Sequence, residues 1–131
     1  YNQPLGHPLG SNFVDLIGIA RYQPVFKWNV ELKCIYYRQG LDSGGVNYGG
    51  NIFSDYTTRP SDYGVSLPNG VPASCLNTSA YVSFQWKENL FLEGSIMYRS
   101  YTKQDLVTTK TSSTTFTLGL RLNMFRRISD Y

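Results

Sequence analysis

Hydrophobic and polar residues alternate along most of this chain, and the alternation is strictest near its end. From Thr114 to Phe125, Phe116, Leu118, Leu120, Leu122 and Met124 share one face, while Thr115, Thr117, Gly119, Arg121 and Asn123 share the other. A period of two is the signature of a strand with one apolar face. Trp28, Val30, Leu32, Cys34 and Tyr36 alternate in the same way with Asn29, Glu31, Lys33, Ile35 and Tyr37. Ala80, Val82, Phe84 and Trp86 do so with Tyr81, Ser83, Gln85 and Lys87, and Leu90, Leu92, Gly94, Ile96 and Tyr98 with Phe91, Glu93, Ser95, Met97 and Arg99. Between Asn12 and Tyr22 the contrast is weaker, with Val14, Leu16, Gly18, Ala20 and Tyr22 against Asp15, Arg21, Phe13, Ile17 and Ile19.

The pattern predicts five antiparallel strands, near 12–22, 27–38, 78–87, 90–102 and 113–125. Each has about ten residues or more, the length that crosses a bilayer when tilted. The prolines at 4, 8, 24, 60, 68 and 72 all fall outside these spans, as a hydrogen-bonded ladder requires. Tyr22, Trp28, Trp86, Tyr98 and Tyr101 sit near strand ends, where aromatic girdles meet membrane interfaces. The predicted connections run short, long, short, long: 23–26, 39–77, 88–89 and 103–112. Transmembrane barrels have short periplasmic turns and long external loops. The expected architecture is therefore all-β, a transmembrane β-barrel meander forming the C-terminal strands of a larger barrel. Loops 39–77 and 103–112 would lie outside and the C-terminus in the periplasm. Five strands is an odd number and bacterial single-chain barrels have even counts, so residues 1–131 are expected to be a portion of a longer protein whose upstream strands complete the wall. Val30, Leu32, Val82, Phe84, Leu92, Ile96, Leu118, Leu120 and Leu122 are the expected lipid face.

Composition narrows the alternatives. Charged residues make up 16% of the 131 and aromatics 15%, too few charges for a soluble helical bundle or a disordered tail. No run of about 18 apolar residues suggests a membrane helix. The net charge of +3 is scattered, without the concentrated basic face that nucleic acid needs.

The final strand carries a further pattern. Thr117, Gly119, Leu122 and Met124 resemble the C-terminal assembly signal of bacterial outer-membrane barrels, a polar residue, a glycine two positions on, then alternate hydrophobics. Gly119 is expected where the backbone approaches closely or bends and a side chain would obstruct it. Seven residues, 125–131, trail the match. The segments Gln3-Pro4-Leu5-Gly6-His7-Pro8-Leu9-Gly10-Ser11-Asn12-Phe13, Asn47-Tyr48-Gly49-Gly50-Asn51-Ile52 and Asp62-Tyr63-Gly64 resemble the C-terminal region of RemB-type gliding motility proteins and related Wzi-like capsule-assembly barrels. The resemblance implies a cell-surface outer-membrane barrel attached to a motility, secretion or polysaccharide system. Its partners would be the bilayer, the upstream barrel and other outer-membrane or secretion-complex proteins. It transfers no catalytic residue and implies no cofactor.

Residues that bear chemistry are few. His7 is the single histidine and no base-orienting partner stands beside it in sequence, so a loop role is preferred over catalysis. Cys34 and Cys75 either pair in an oxidising compartment or stay apart on opposed faces. No spacing suggests zinc or an EF-hand loop. Loop residues Tyr48, Tyr56 and Tyr63 are candidate surface contacts; with Asp42, Asp55 and Asp62 they offer sugar-stacking chemistry, against a self-packed loop. Glu31, Lys33, Glu93, Arg99 and Arg121 are the expected lumen-facing charges, with Gln85 and Lys87 beside them. Mixed signs favour a filled interior over an ion-selective pore, and a register that sets Glu93 beside Arg121 would make them a salt bridge. The rival functions are a diffusion porin or transporter barrel and a soluble β-sandwich or lipocalin-like module.

Overall fold

The structure, a computed structural model, describes residues 7–51 and 53–123. It is one antiparallel sheet of five strands in chain order: β1 (Phe13–Tyr22), β2 (Trp28–Leu41), β3 (Val71–Lys87), β4 (Leu90–Gln104) and β5 (Thr108–Leu122). Each strand pairs with its sequence neighbours, and β1 and β5 are not joined, so the sheet is a meander and not a closed barrel.

Two strands begin earlier than their hydrophobic pattern suggests. β3 starts at Val71 rather than 78, and β5 at Thr108 rather than 113. Residues 108–115 are almost all Ser and Thr, so they show no polar–apolar contrast although β-branched threonine suits a strand. The expected long loop 103–112 is thereby reduced to the turn 105–107, and the long loop shrinks to 42–70. The connections thus run short, long, short, short, and their lengths no longer alternate.

Pro72 lies inside β3, contrary to expectation, directly across from Gly40. Gly40 turns its N–H toward β1, donating to the Asn12 carbonyl at 3.0 Å. Pro72 therefore faces β2 as a non-hydrogen-bonded partner. Its other side lies beyond Ala73 and Lys103, where β3–β4 pairing begins. A residue without an N–H fits there because no ladder bond is lost.

The turn at 88–89 is closed by Asn89, in the left-handed region at φ 63°, a conformation asparagine tolerates better than most residues. Its carbonyl accepts from the Asn123 N–H at 2.8 Å. The adjacent register shift between Gln85 and Lys87 leaves Trp86 as the extra, bulged residue.

Candidate functional site

The register lines up the apolar positions of all five strands on one side. Ala20, Leu32, Ala80, Ile96 and Phe116 form one cross-strand row, and Tyr22, Val30, Val82, Gly94 and Leu118 form the next. Trp28 then stands across from Phe84, with ring centroids 4.7 Å apart, and Phe84 across from Leu92. The other side carries the polar series. All five expected inward charges, Glu31, Lys33, Glu93, Arg99 and Arg121, lie on it by register.

Burial is inverted relative to a water-soluble sheet. On β2, Leu32 is 52% exposed while its neighbours Glu31 and Lys33 are half-buried. Leu118 is 90% exposed, whereas Ala73, Cys75 and Ser83, on the polar side, are buried. On β2 and along much of β3 the polar side is the more enclosed one, whereas along β5 and most of β1 both sides are open. In water, exposed apolar area costs roughly 25 cal/mol per Å², so the apolar face calls for an apolar environment.

The apolar band also slants. On β1 its face runs from Val14 to Tyr22, centred on Gly18; on β5, among the described residues, it runs from Phe116 to Leu122, centred on residue 119. The row through Gly18 passes Cys34, Thr78 and Tyr98 and reaches β5 at Thr114, so the band drifts by five residues (119 − 114) over four strand spacings. At ~3.3 Å per residue and ~4.8 Å per spacing that is about 16 Å over about 19 Å, a slope of roughly 40°.

Three of the five inward charges, Glu31, Glu93 and Arg121, are in ion pairs. Arg21 and Glu31 are directly opposite each other and their side chains meet at 2.6 Å. Glu93 lies across from Gly119 and reaches diagonally to Arg121 at 2.5 Å. Arg121 stands over the ring of Phe91, its own cross-strand partner, at 4.3 Å. Lys33 and Arg99 have no carboxylate within ion-pair distance among the described residues.

Of the assembly-signal residues, Thr117 and Gly119 lie on the polar side and Leu122 on the apolar side; Met124 lies outside the described residues. A Cβ built on Gly119 meets nothing within 4 Å. Close backbone approach therefore does not explain the glycine; open space lies above it, beside the Glu93–Arg121 pair.

Cys34 and Cys75 are both free, one exposed and one buried. Cys34 pairs with Thr78 and Cys75 with Tyr37; Cys75 and Thr78 are three residues apart on β3, so the two thiols project from opposite faces of the sheet. Disulfide geometry is out of reach.

His7 does have an acidic partner, eight residues on, which sequence adjacency did not reveal. Its Nε2 lies 3.4 Å from the Asp15 carboxylate, and its Nδ1 accepts from the Leu9 N–H at 3.2 Å. The ring stacks on Phe13 with centroids 4.3 Å apart. Both ring nitrogens are occupied, so neither is left to serve as base for Cys75, which lines the same cavity. The segment from His7 to Leu9 is strapped over the polar face, with the Leu9 carbonyl accepting from Gln39 Nε2 at 2.9 Å.

The long loop is organised by short polar side chains. The Asp42 carboxylate accepts from the N–H groups of Tyr48 and Gly50, and Asn47 Oδ1 from that of Gly49. Tyr48 is half-buried against Gly70, where an added Cβ would stand 2.8 Å from its ring. Tyr56 and Tyr63 are 73% and 90% exposed. Asp42 and Asp55 spend their carboxylates on loop N–H groups and Asp62 on Arg59, and no group of three or more metal-ligating side chains is found among the described residues.

The chain matches no family model, no curated protein and no solved structure.

Proposed function

We propose that this sheet is part of the wall of a bacterial outer-membrane β-barrel, with its apolar face to lipid and its polar face to the lumen. Its role would be at the cell surface, linked to gliding motility, secretion or assembly machinery. The observation that carries the reading is the open, uncharged and slanted apolar band. If the band lies level in a bilayer, its roughly 40° slope is the strand tilt, inside the 35–45° range of outer-membrane barrels. On β2 the band spans Trp28 to Tyr36, eight residue steps, about 26 Å of strand and about 20 Å of height at that tilt, near the ~25 Å apolar band of such barrels once side chains are added. Tyr22, Trp28 and Trp86 border it toward the short turns, and Tyr36 and Tyr98 toward the long loop, as interfacial girdles do. In hydrocarbon the outer edges of β1 and β5 require further strands, because each unpaired backbone group costs several kcal/mol. The surface role rests on the resemblance to RemB-type and Wzi-like barrels. The matched ion pairs on the polar face argue against the rival reading of a strongly ion-selective pore.

Single cysteines along β5, in a Cys34→Ser/Cys75→Ser background, test the wall. Cysteine at 118 and 120 should react with a lipid-soluble maleimide and resist a charged one, and cysteine at 117 and 121 should do the reverse. Equal reaction of both sets with the charged reagent would sink the membrane reading. Deletion in the source bacterium tests the role: loss of spreading or of surface assembly supports it, whereas intact surface behaviour with reduced solute uptake would make the porin right.

A further inference from the structure

The polar face is interrupted by an apolar patch. Ile17 and Ile35 face each other across β1 and β2, in one row with Asn77 and Arg99. The strap at His7–Leu9 walls one side of an open cavity of about 310 Å³, at which Ile17 and Arg99 remain exposed. The cavity lining is mainly hydrocarbon, and one cation enters it. Arg99 lies against Cys75 and Tyr37 and has no carboxylate partner among the described residues. The acidic group on this lining, Asp15, stands on β1, three strand spacings from Arg99 on β4, roughly 14 Å at ~4.8 Å each, and is engaged by His7.

We propose that this cavity binds a small amphipathic carboxylate, its apolar body on Ile17 and Ile35 and its carboxylate on the Arg99 guanidinium. An apolar pocket with one convergent polar group is the usual form of a small-molecule site, and a guanidinium matches a carboxylate in charge and in fork geometry. Asn77, beside Arg99 in the same row, supplies an amide donor. The inference goes beyond the barrel reading and does not depend on it, since it needs only the polar face and its strap.

Cys75 is the built-in reporter: it is 2% exposed and lines the cavity. In a Cys34→Ser background the full chain is treated with methyl methanethiosulfonate, and the rate of Cys75 modification is read with benzoate, with neutral benzamide, or with acetate. Benzoate should slow the reaction. Benzamide, which lacks the charge, and acetate, which lacks the apolar body, should need about tenfold or more higher concentration for equal protection, as loss of a charged hydrogen bond or of buried apolar area implies. Arg99→Gln should remove the advantage of benzoate and Arg99→Lys should keep part of it, while Arg121→Gln, on the same face outside the cavity, should leave it unchanged. Direct saturation-transfer NMR of benzoate on the wild-type chain covers the case in which Arg99→Gln fails to fold. Equal protection by benzoate and benzamide, no saturation transfer, or undiminished protection in Arg99→Gln would overturn the proposal. A chain that passes the cysteine scan of β5 yet ignores benzoate refutes this site alone.

Discussion

Asn12 and Asn69, 57 residues apart, exchange hydrogen bonds in both directions: Asn12 Nδ2 donates to the Asn69 carbonyl at 2.6 Å, and the Asn69 N–H donates to Asn12 Oδ1 at 2.9 Å. The same Nδ2 donates to the Gly40 carbonyl at 2.9 Å. A side-chain amide here does what a peptide group does in a ladder. It ties the entrance of β1 to the end of β2 and to the last turn of the long loop. Asn12 is 8% exposed and left-handed, with φ 57°, so its side chain is committed to the clamp.

Asn12→Ala leaves the Gly40 and Asn69 groups without their partner and should cost about 1–3 kcal/mol. Asn12→Asp keeps the acceptor but places a carboxylate against two carbonyl oxygens, and should be at least as damaging. Denaturant unfolding in detergent, with limited proteolysis within 42–70, measures both; stability and cleavage equal to wild type in both variants would refute the clamp.

Gly40 is required by space. A Cβ there would lie 1.8 Å from the Asn69 carbonyl oxygen, a separation backbone atoms cannot accommodate without moving the loop. Gly40→Ala should expose the 42–70 loop to protease, whereas Gly119→Ala, where the space is open, should leave stability within about 1 kcal/mol of wild type.

Replacement of Leu120 by Arg should destabilise the folded protein in lipid by roughly 2–4 kcal/mol, as a cation on the lipid face near the midplane does. Thr117→Arg, on the opposite face, should cost much less. Unfolding titrations in bilayers of defined composition read the difference, and similar costs at the two positions would deny the faces their assigned environments.

The Glu93–Arg121 pair is partly open to solvent, with side chains 22% and 45% exposed. A double-mutant cycle with Glu93→Gln and Arg121→Gln should give little coupling, as screened ion pairs do. A coupling well outside the error of the cycle would mean a far more desolvated interior than the sheet alone provides.

In the 105–107 turn, the Lys103 ammonium 3.0 Å away and the Leu106 N–H hold the Asp105 carboxyl below its usual range. A lowered carboxyl stabilises the turn fully above the unfolded value and loses that contribution as pH falls through the folded one. Protection factors of the turn amides, which remove the intrinsic fall of exchange rate with pH, should therefore decline toward acidic pH in the wild type and change less in Asp105→Asn.

The sidedness of each strand is legible in the alternation, because a period of two fixes it wherever large apolar residues recur; the bulge at Trp86, which sets Lys87 across from Leu90 rather than beside the inward charges, is not. The chain pattern fails where it has no contrast: Thr108–Ser112 and Val71–Asn77 are strand because their neighbours offer a ladder, and no alternation marks them. Glu93 and Arg121 are visible as inward charges, but only the register sets them diagonally around Gly119. The His7–Asp15 contact, the strap over Ile17 and Ile35, and the Asn12–Asn69 clamp join residues whose spacing carries no period. A single asparagine in a loop looks the same whether or not it stands in for a peptide group. Sidedness is a property of each strand alone, and the sequence determines it; enclosure, the partners of buried polar groups and the slant of the apolar band depend on register between strands, which only the tertiary structure decides.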